Sequence, residues 1–108
     1  MSIKKIYIIY PERDMFEDEK AYRQEKLLEL AGEYLHEPVE AIRKYDAETQ
    51  CSELEQLGES IQQMSKADYV LISGNWGSER RSKIETVCAL EYEKAILMED
   101  CNKIEEVT

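Results

Sequence analysis

The sequence predicts an α/β fold, a three-layer sandwich built on a four- to five-stranded parallel sheet. Short runs rich in β-branched residues alternate with segments whose apolar residues recur every three or four positions. The apolar runs are continuous, as in parallel strands that are covered on both faces. A length of 108 residues suits one small domain, residues 1–108, with a single-sheet core.

The composition argues against several classes of partner. The chain has 14 Lys and Arg against 24 Asp and Glu, a net charge of −10. Such acidity disfavours nucleic acid or an anionic membrane as the main partner. No run approaches the roughly 20 apolar residues of a membrane span, and no signal peptide precedes the first strand. Cys51, Cys88 and Cys101 are widely spaced and form no CxxC pair. We therefore expect reduced thiols in a cytoplasmic protein, with no metal and no cofactor.

The first half of the chain predicts two strands and two helices. Residues 3–10 form a strand that Pro11 ends, and a helix follows to about Leu35, where His36 closes it. Val39 and Ile42 allow a short second strand within residues 37–45. The second helix opens with the capping-box pattern Ser-Glu-Leu-Glu of residues 52–55. Its expected core residues are Leu54, Leu57, Ile61 and Met64.

The second half predicts two strands around a glycine-containing loop and a helix. Residues 69–72 form the third strand, and residues 73–77 break the pattern. Helical spacing resumes at Ser82 and continues to about Tyr92, with Ile84, Val87 and Cys88 expected on the inner face. Residues 94–98 form the fourth strand. The acidic tail from Glu99 is expected to be disordered or to lie on a partner.

A strand order of 2-1-3-4 gives a Rossmann- or flavodoxin-like architecture with a crevice between the carboxyl ends of strands one and three. This arrangement brings residues 7–11 toward residues 76–85. That second segment holds Ser78, Arg80, Arg81 and Ser82 near a helix N-terminus, and residues 79–85 carry a local charge of +1. Hydroxyls, guanidinium groups and free backbone amides favour an anion. Ser82 and Glu85 also fit a simple capping box, and spacing alone does not separate the two interpretations.

Two segments carry a family resemblance. The first comprises Ala67-Asp68-Tyr69-Val70-Leu71, Trp76, Arg80-Arg81-Ser82, Glu85 and Ala89; the second is Ile6-Tyr7-Ile8-Ile9-Tyr10-Pro11. They resemble the nucleoside 2-deoxyribosyltransferase superfamily, most of all its short, often phage- or prophage-associated members of unknown function. Those members have a strand ending near a Trp, then Ser-Arg-Gly-Ala, a Glu three residues later and an Ala four beyond that. Their opening strand reads Ile-Tyr-Ile-Ser-Gly-Pro. The similarity spans nearly the whole chain in element order, although a minority of positions carry it.

The resemblance implies a catalytic pair. Glu85 occupies the position of the family's nucleophilic glutamate, which attacks the anomeric carbon of a deoxynucleoside as in retaining glycosidases. Tyr7 matches the tyrosine that orients this glutamate through its hydroxyl. Each also has a structural interpretation, Glu85 as a cap and Tyr7 as a core residue. Asp68 lies at the opposite end of the predicted sheet, so we interpret it as structural.

The resemblance also implies a nucleoside or nucleotide ligand. The expected binding residues are Tyr10, Pro11, Trp76, Ser78, Arg80, Arg81 and Ser82. Two departures matter: Ile9-Tyr10 replaces the family's Ser-Gly, and Arg81-Ser82 replaces its Gly-Ala. A non-catalytic nucleotide-binding or interaction module is therefore the alternative. It is favoured if Tyr10 fills the pocket, whereas a Tyr10 that swings out favours the enzyme. Because family members complete their pocket with a neighbouring subunit, we expect a homodimer or larger, with Tyr22, Tyr34 and Tyr92 at the interface.

Overall fold

A computed structural model describes residues 3–12, 15–42 and 52–107 of the chain. The strands in these residues are β1 (Lys4–Ile9), β2 (Val39–Ala41), β3 (Tyr69–Ser73), β4 (Ile96–Asp100) and β5 (Lys103–Val107). The helices are α1 (Glu17–Leu35), α2 (Glu53–Met64) and α3 (Arg80–Glu91), and a single 3₁₀ turn covers Trp76–Ser78. The end of the segment predicted to hold the second strand lies outside the described residues, as does Cys51.

The five strands form one mixed sheet in the order β2-β1-β3-β4-β5. The first four are parallel and follow the predicted order, with Ile8 opposite Leu71 and Leu71 opposite Leu97. The expectation of a purely parallel sheet is wrong for the fifth strand, because β5 runs antiparallel to β4.

The expectation of a disordered tail from Glu99 onward is also wrong. These residues form the end of β4 and all of β5. A two-residue connection makes this possible. Cys101 and Asn102 have φ angles of 51° and 66°, and two left-handed residues reverse the chain tightly with a twist that suits a hairpin.

Helices cover both faces of the sheet. Buried Leu27 and Ala31 of α1 belong to a core cluster with the β1 side chains Ile6 and Ile8. On the opposite face, Met64 of α2 and Ala89 of α3 join a cluster built on other strand residues, which are Tyr7, Ile9, Val70, Ile72 and Ile96. Successive strand residues point to opposite faces, so near-continuous apolar strands feed both clusters.

The N-terminus of α2 confirms the first predicted cap. Ser52 is the N-cap residue, and its hydroxyl accepts a hydrogen bond from the Glu55 amide at 3.2 Å. The same hydroxyl lies 3.3 Å from Glu55 Oε1. This local arrangement requires no tertiary contact, which explains why a four-residue pattern predicts it.

The N-terminus of α3 corrects the second predicted cap. The helix begins at Arg80, with Glu79 at the N-cap position, so Ser82 lies inside the first turn. The face of α3 that is buried against the sheet also differs from the predicted one. Ile84 and Val87 are 38% and 52% exposed. The buried residues of α3 are Ser82, Glu85, Thr86 and Ala89.

None of the helices in the described ranges combines the length and the apolar character that a membrane crossing needs.

Candidate functional site

A buried tyrosine–glutamate pair joins β1 to α3. Tyr7 lies in the middle of β1 with no exposed surface, and Glu85 lies in the second turn of α3 with 1% exposed. Helical side chains tilt toward the helix N-terminus, which directs Glu85 toward the carboxyl edge of the sheet. The Tyr7 hydroxyl donates a hydrogen bond of 2.9 Å to Glu85 Oε2. The structure therefore brings together the two side chains that the sequence paired.

The electrostatics of this pair keep the phenol protonated. Burial raises the pKa of Tyr7 far above its usual value, and the neighbouring charge of Glu85 raises it further. The Ser60 hydroxyl on α2 acts in the opposite sense on the same pKa without cancelling the rise. A phenol that stays neutral donates a hydrogen bond at any physiological pH, so it fixes one carboxylate oxygen and adds no competing charge.

A cavity of about 530 Å³ lies at the N-terminal ends of the three helices. It is lined by Glu12, Lys20, Glu53, Leu54, Gln56, Leu57, Glu79, Arg80, Arg81 and Ile84. The helices that follow parallel strands begin at the carboxyl edge of the sheet, which is where open α/β sheets bind ligands. The charged lining contains three carboxylates and three cations, so the cavity is polar without a strong net charge.

Three polar contacts tie the walls of this cavity together. Glu79 Oε2 accepts a hydrogen bond from the Glu12 amide at 2.7 Å and so joins the loop after β1 to the start of α3. Arg81 Nη2 donates to Gln56 Oε1 on α2 at 3.1 Å. Arg80 lies 3.5 Å from Glu53, and both side chains are about 80% exposed, so solvent screens this ion pair strongly.

Two of the seven predicted binding residues line the cavity, and the other five do not. Arg80 and Arg81 line it. Trp76 is half-buried against the cluster that contains Tyr7, and Pro11 is half-buried. Ser82 is 2% exposed inside α3. Ser78 is exposed, and its hydroxyl donates to the Asn75 carbonyl at 2.9 Å.

Tyr7 and Glu85 do not themselves line the cavity. Arg81 and Ile84, which precede Glu85 by four residues and one residue, both lie in its wall. The carboxylate is thus next to the crevice along α3 but is enclosed in this conformation.

Tyr10 lies on the other face of the sheet from the tyrosine–glutamate pair. It is 3% exposed within the α1 cluster, and its hydroxyl donates to the Lys20 carbonyl at 3.4 Å. Strand alternation explains this position, because Tyr10 is an odd number of residues from Tyr7. The ring therefore neither fills the space around Glu85 nor swings into solvent.

A second buried carboxylate, which the sequence interpretation missed, lies at the same edge of the sheet. Glu99 of β4 is 4% exposed and accepts a hydrogen bond from Arg23 Nη2 of α1 at 2.9 Å. Arg23 also donates to the Ser73 hydroxyl at 3.0 Å. An acidic residue directly after a buried apolar strand was the available signal. At the opposite edge, Asp68 Oδ2 accepts from the Lys5 amide at 2.8 Å, the structural role expected of it.

Close packing of backbone accompanies this second carboxylate. A Cβ atom on Gly74 would lie 2.9 Å from the Glu99 carbonyl oxygen, so only glycine fits without a shift. Within the described residues, no three His, Cys, Asp or Glu side chains are grouped as a metal site.

Fold and site together define an α/β protein with a buried tyrosine–glutamate pair beside a polar crevice. The chain matches no protein-family model and no curated protein. A functional assignment therefore rests on the residues described above.

Proposed function

We propose that the chain binds a nucleoside or a deoxynucleoside monophosphate in the crevice and breaks its N-glycosidic bond through Glu85. The observation that carries this proposal is the 2.9 Å hydrogen bond between the Tyr7 hydroxyl and Glu85 Oε2. Burying a carboxylate is costly, and a strand and a helix distant in sequence combine to orient this one. Such an arrangement suits a nucleophile whose geometry must be fixed.

The chemistry uses the two oxygens of Glu85 differently. Tyr7 holds Oε2, while the other oxygen attacks the anomeric carbon of the sugar as its bond to the base nitrogen breaks. The bonding electrons leave with the base, which takes up a proton from solvent water, and a proton returns to the solvent when water later opens the ester. The resulting glycosyl ester is then opened by water, giving hydrolysis, or by a second base, giving transfer. The carboxylate also stabilises the positive charge that develops on the sugar.

The second candidate is a non-catalytic nucleotide-binding or interaction module. The specific observation in its favour is that Glu85 is only 1% exposed and lies behind Arg81 and Ile84. Catalysis requires that the ligand displace this wall and reach the carboxylate. A module needs only the cavity and its charged lining. Tyr10 does not separate the two candidates, because it is buried in the α1 cluster and neither fills the space around Glu85 nor swings out.

We also propose that the protein acts as a homodimer or a larger homo-oligomer. The three tyrosines expected at its interface do not form one surface. Tyr22 and Tyr34 lie on α1, whereas Tyr92 follows α3 on the other side of the sheet. Their exposed fractions are 72%, 39% and 81%.

The decisive experiment measures release of free base. Deoxynucleosides and their 5′-monophosphates are incubated with the protein, and the products are separated by liquid chromatography. We expect base release by the wild type and its loss in Glu85→Gln, which keeps the size of the side chain but removes the nucleophile. Glu91→Gln is a matched control, because it changes an exposed carboxylate of the same helix that does not line the cavity.

The outcomes separate the two candidates. Base release that Glu85→Gln abolishes and Glu91→Gln retains supports the enzyme. Binding by calorimetry without any base release supports the module. If neither binding nor release occurs with any of these compounds, the nucleotide assignment is wrong for both candidates.

A further inference from the structure

The helix α2 buries a serine completely while one of its leucines remains in solvent. Its two buried residues are Ser60, with no exposed surface, and Met64, which lies one turn further along the same face. Leu54 of the same helix is 77% exposed. Amphipathic helices normally turn apolar residues toward the core and polar residues toward water. The hydroxyl of Ser60 is therefore not explained by core packing.

This hydroxyl lies beside the phenol of Tyr7. Met64 and Ile61 pack in the same apolar cluster as Tyr7, so this face of α2 is turned toward that side chain. Burial and the charge of Glu85 raise the pKa of Tyr7, and the Ser60 hydroxyl lowers it. A neighbouring hydroxyl lowers the pKa of a phenol by donating toward the phenol oxygen, because it then stabilises the phenolate. Ser60 is thus placed as a donor to Tyr7.

The contact is loose in this conformation. Among the described residues, the Ser60 hydroxyl has no hydrogen-bond partner at ordinary distance and angle. Burying such a hydroxyl costs free energy, and a buried polar group without a partner calls for a reason, of which a catalytic role is one. Hydrogen bonds at catalytic sites are often long in the free protein and tighten when the ligand binds. A phenol that donates a hydrogen bond can also accept one through its oxygen.

We propose that Ser60 is a positioning residue for the reaction at Glu85, and that its hydroxyl donates to the Tyr7 oxygen when a substrate occupies the crevice. The three side chains then form one directed chain of hydrogen bonds from α2 through β1 to α3. A phenol that accepts one hydrogen bond becomes a stronger donor of another. Tyr7 therefore holds Glu85 Oε2 more firmly and stabilises the carboxylate as it leaves the glycosyl ester. This inference rests on the proposed function, since it adds a residue to the same site.

The kinetics of base release test this proposal with Ser60→Ala, which removes the hydroxyl and keeps the side chain small. We expect kcat to fall about tenfold, the effect of one hydrogen bond, with KM unchanged because the bond acts in the reacting state. Thr86→Val is the matched control and should change neither constant. The Thr86 hydroxyl is also buried without a partner among the described residues, but it is not one of the groups that shift the pKa of Tyr7.

Two further measurements separate positioning from a structural role. In a Tyr7→Phe background, Ser60→Ala should have no further effect on kcat, because the hydroxyl acts through the phenol. Ser60→Thr keeps the hydroxyl and should restore most of kcat. Removing a buried hydroxyl that lacks a partner should leave Tm unchanged or raise it, whereas a serine that serves stability would lower Tm when it is replaced.

A test without substrate uses carbon-13 NMR of protein labelled at Cζ of its seven tyrosines. The Tyr7 signal is identified by its loss in Tyr7→Phe. We expect Ser60→Ala to shift this signal and Thr86→Val to leave it in place. If the wild type releases no base, the proposed chemistry is wrong, and a shifted signal still supports the contact between Ser60 and Tyr7. If the wild type is active, a Ser60→Ala variant with the wild-type kcat overturns the proposal, and so does an unchanged Tyr7 signal.

Discussion

Arg23 and Glu99 form a charged hydrogen bond of 2.9 Å across the carboxyl edge of the sheet, although 76 residues separate them in the chain. The same carboxylate accepts hydrogen bonds from the Asn102 amide at 3.1 Å and the Gly74 amide at 3.4 Å. One side chain therefore connects α1, the loop after β3 and the β4–β5 hairpin.

This connection predicts a loss of stability at low pH. Burial alone raises the pKa of Glu99, but the Asn102 amide and Arg23 outweigh burial and lower it below its ordinary value of 4.5. A lowered pKa stabilises the fold fully above about pH 4.5, and this contribution disappears as the pH falls through the folded-state pKa. We expect the free energy of unfolding, measured with urea, to fall less between pH 7 and pH 3 in Glu99→Gln than in the wild type.

At pH 7 we expect Glu99→Gln to lower the free energy of unfolding by about 1–3 kcal/mol, because it removes a charge-assisted hydrogen bond. Glu105→Gln, an exposed substitution on β5, is the control and should change it by less than about 0.5 kcal/mol. Equal effects of the two substitutions would contradict a special role for Glu99.

The tyrosine–glutamate pair predicts energetic coupling between Tyr7 and Glu85. Tyr7→Phe deprives a buried carboxylate of a donor and should destabilise the protein by about 1–3 kcal/mol. In the Tyr7→Phe, Glu85→Gln double variant, the loss should differ from the sum of the single losses by about 0.5 kcal/mol or more, as for residues in contact. Urea unfolding of the four proteins gives this coupling energy. Strict additivity would mean that the hydrogen bond contributes nothing to stability.

The cavity lining predicts a preference for phosphates that depends on Arg81. A charge-assisted hydrogen bond contributes about 1.5–3 kcal/mol, so one such contact favours a monophosphate over its nucleoside by about tenfold or more. Calorimetric titration with dAMP, dGMP, dCMP and dTMP beside their nucleosides measures this preference. We expect Arg81→Ala to reduce it strongly and the exposed Arg80→Ala to reduce it less.

Lys83→Ala is the matched control for this titration, because Lys83 is a cation of the same helix that does not line the cavity. Ser82→Ala should also have little effect, since its hydroxyl is buried within α3. If the monophosphates bind no better than their nucleosides, Arg80 and Arg81 do not bind phosphate and are only surface charges.

The β4–β5 connection predicts a stabilising double substitution. Cys101 and Asn102 both adopt left-handed backbone angles, which glycine and asparagine tolerate best. Cys101→Asn with Asn102→Gly should raise the free energy of unfolding by about 0.5–1 kcal/mol while keeping the amide that binds Glu99. Cys101→Ala is the control; it removes the thiol but not the unfavourable φ, so thermal unfolding should show no gain.

The sequence predicted where the four parallel strands lie along the chain and the cap of α2, because both depend on local patterns. Residues 69–72 are apolar, with β-branched Val70 and Ile72 among them, and Ser52 needs only Glu55 nearby. The short β5 escaped prediction because its Lys-Ile-Glu-Glu-Val sequence is charged, as edge strands often are. Its turn also lacks the glycine that usually marks a hairpin.

By itself, then, the sequence determined that strands and helices alternate along the chain. It also determined that β1 lies near α3, because continuous apolar strands flanked by helices have few ways to pack. Only the tertiary structure decided which face of α3 is buried. Periodicity predicts an inward apolar stripe, and Glu85 breaks that rule because the hydroxyl of Tyr7, from a distant strand, stabilises its buried carboxylate. The same holds for Glu99, whose burial depends on Arg23 of α1, the helix on the face of the sheet opposite α3. A buried charge is acceptable only with a partner, and that partner is supplied by the folded chain.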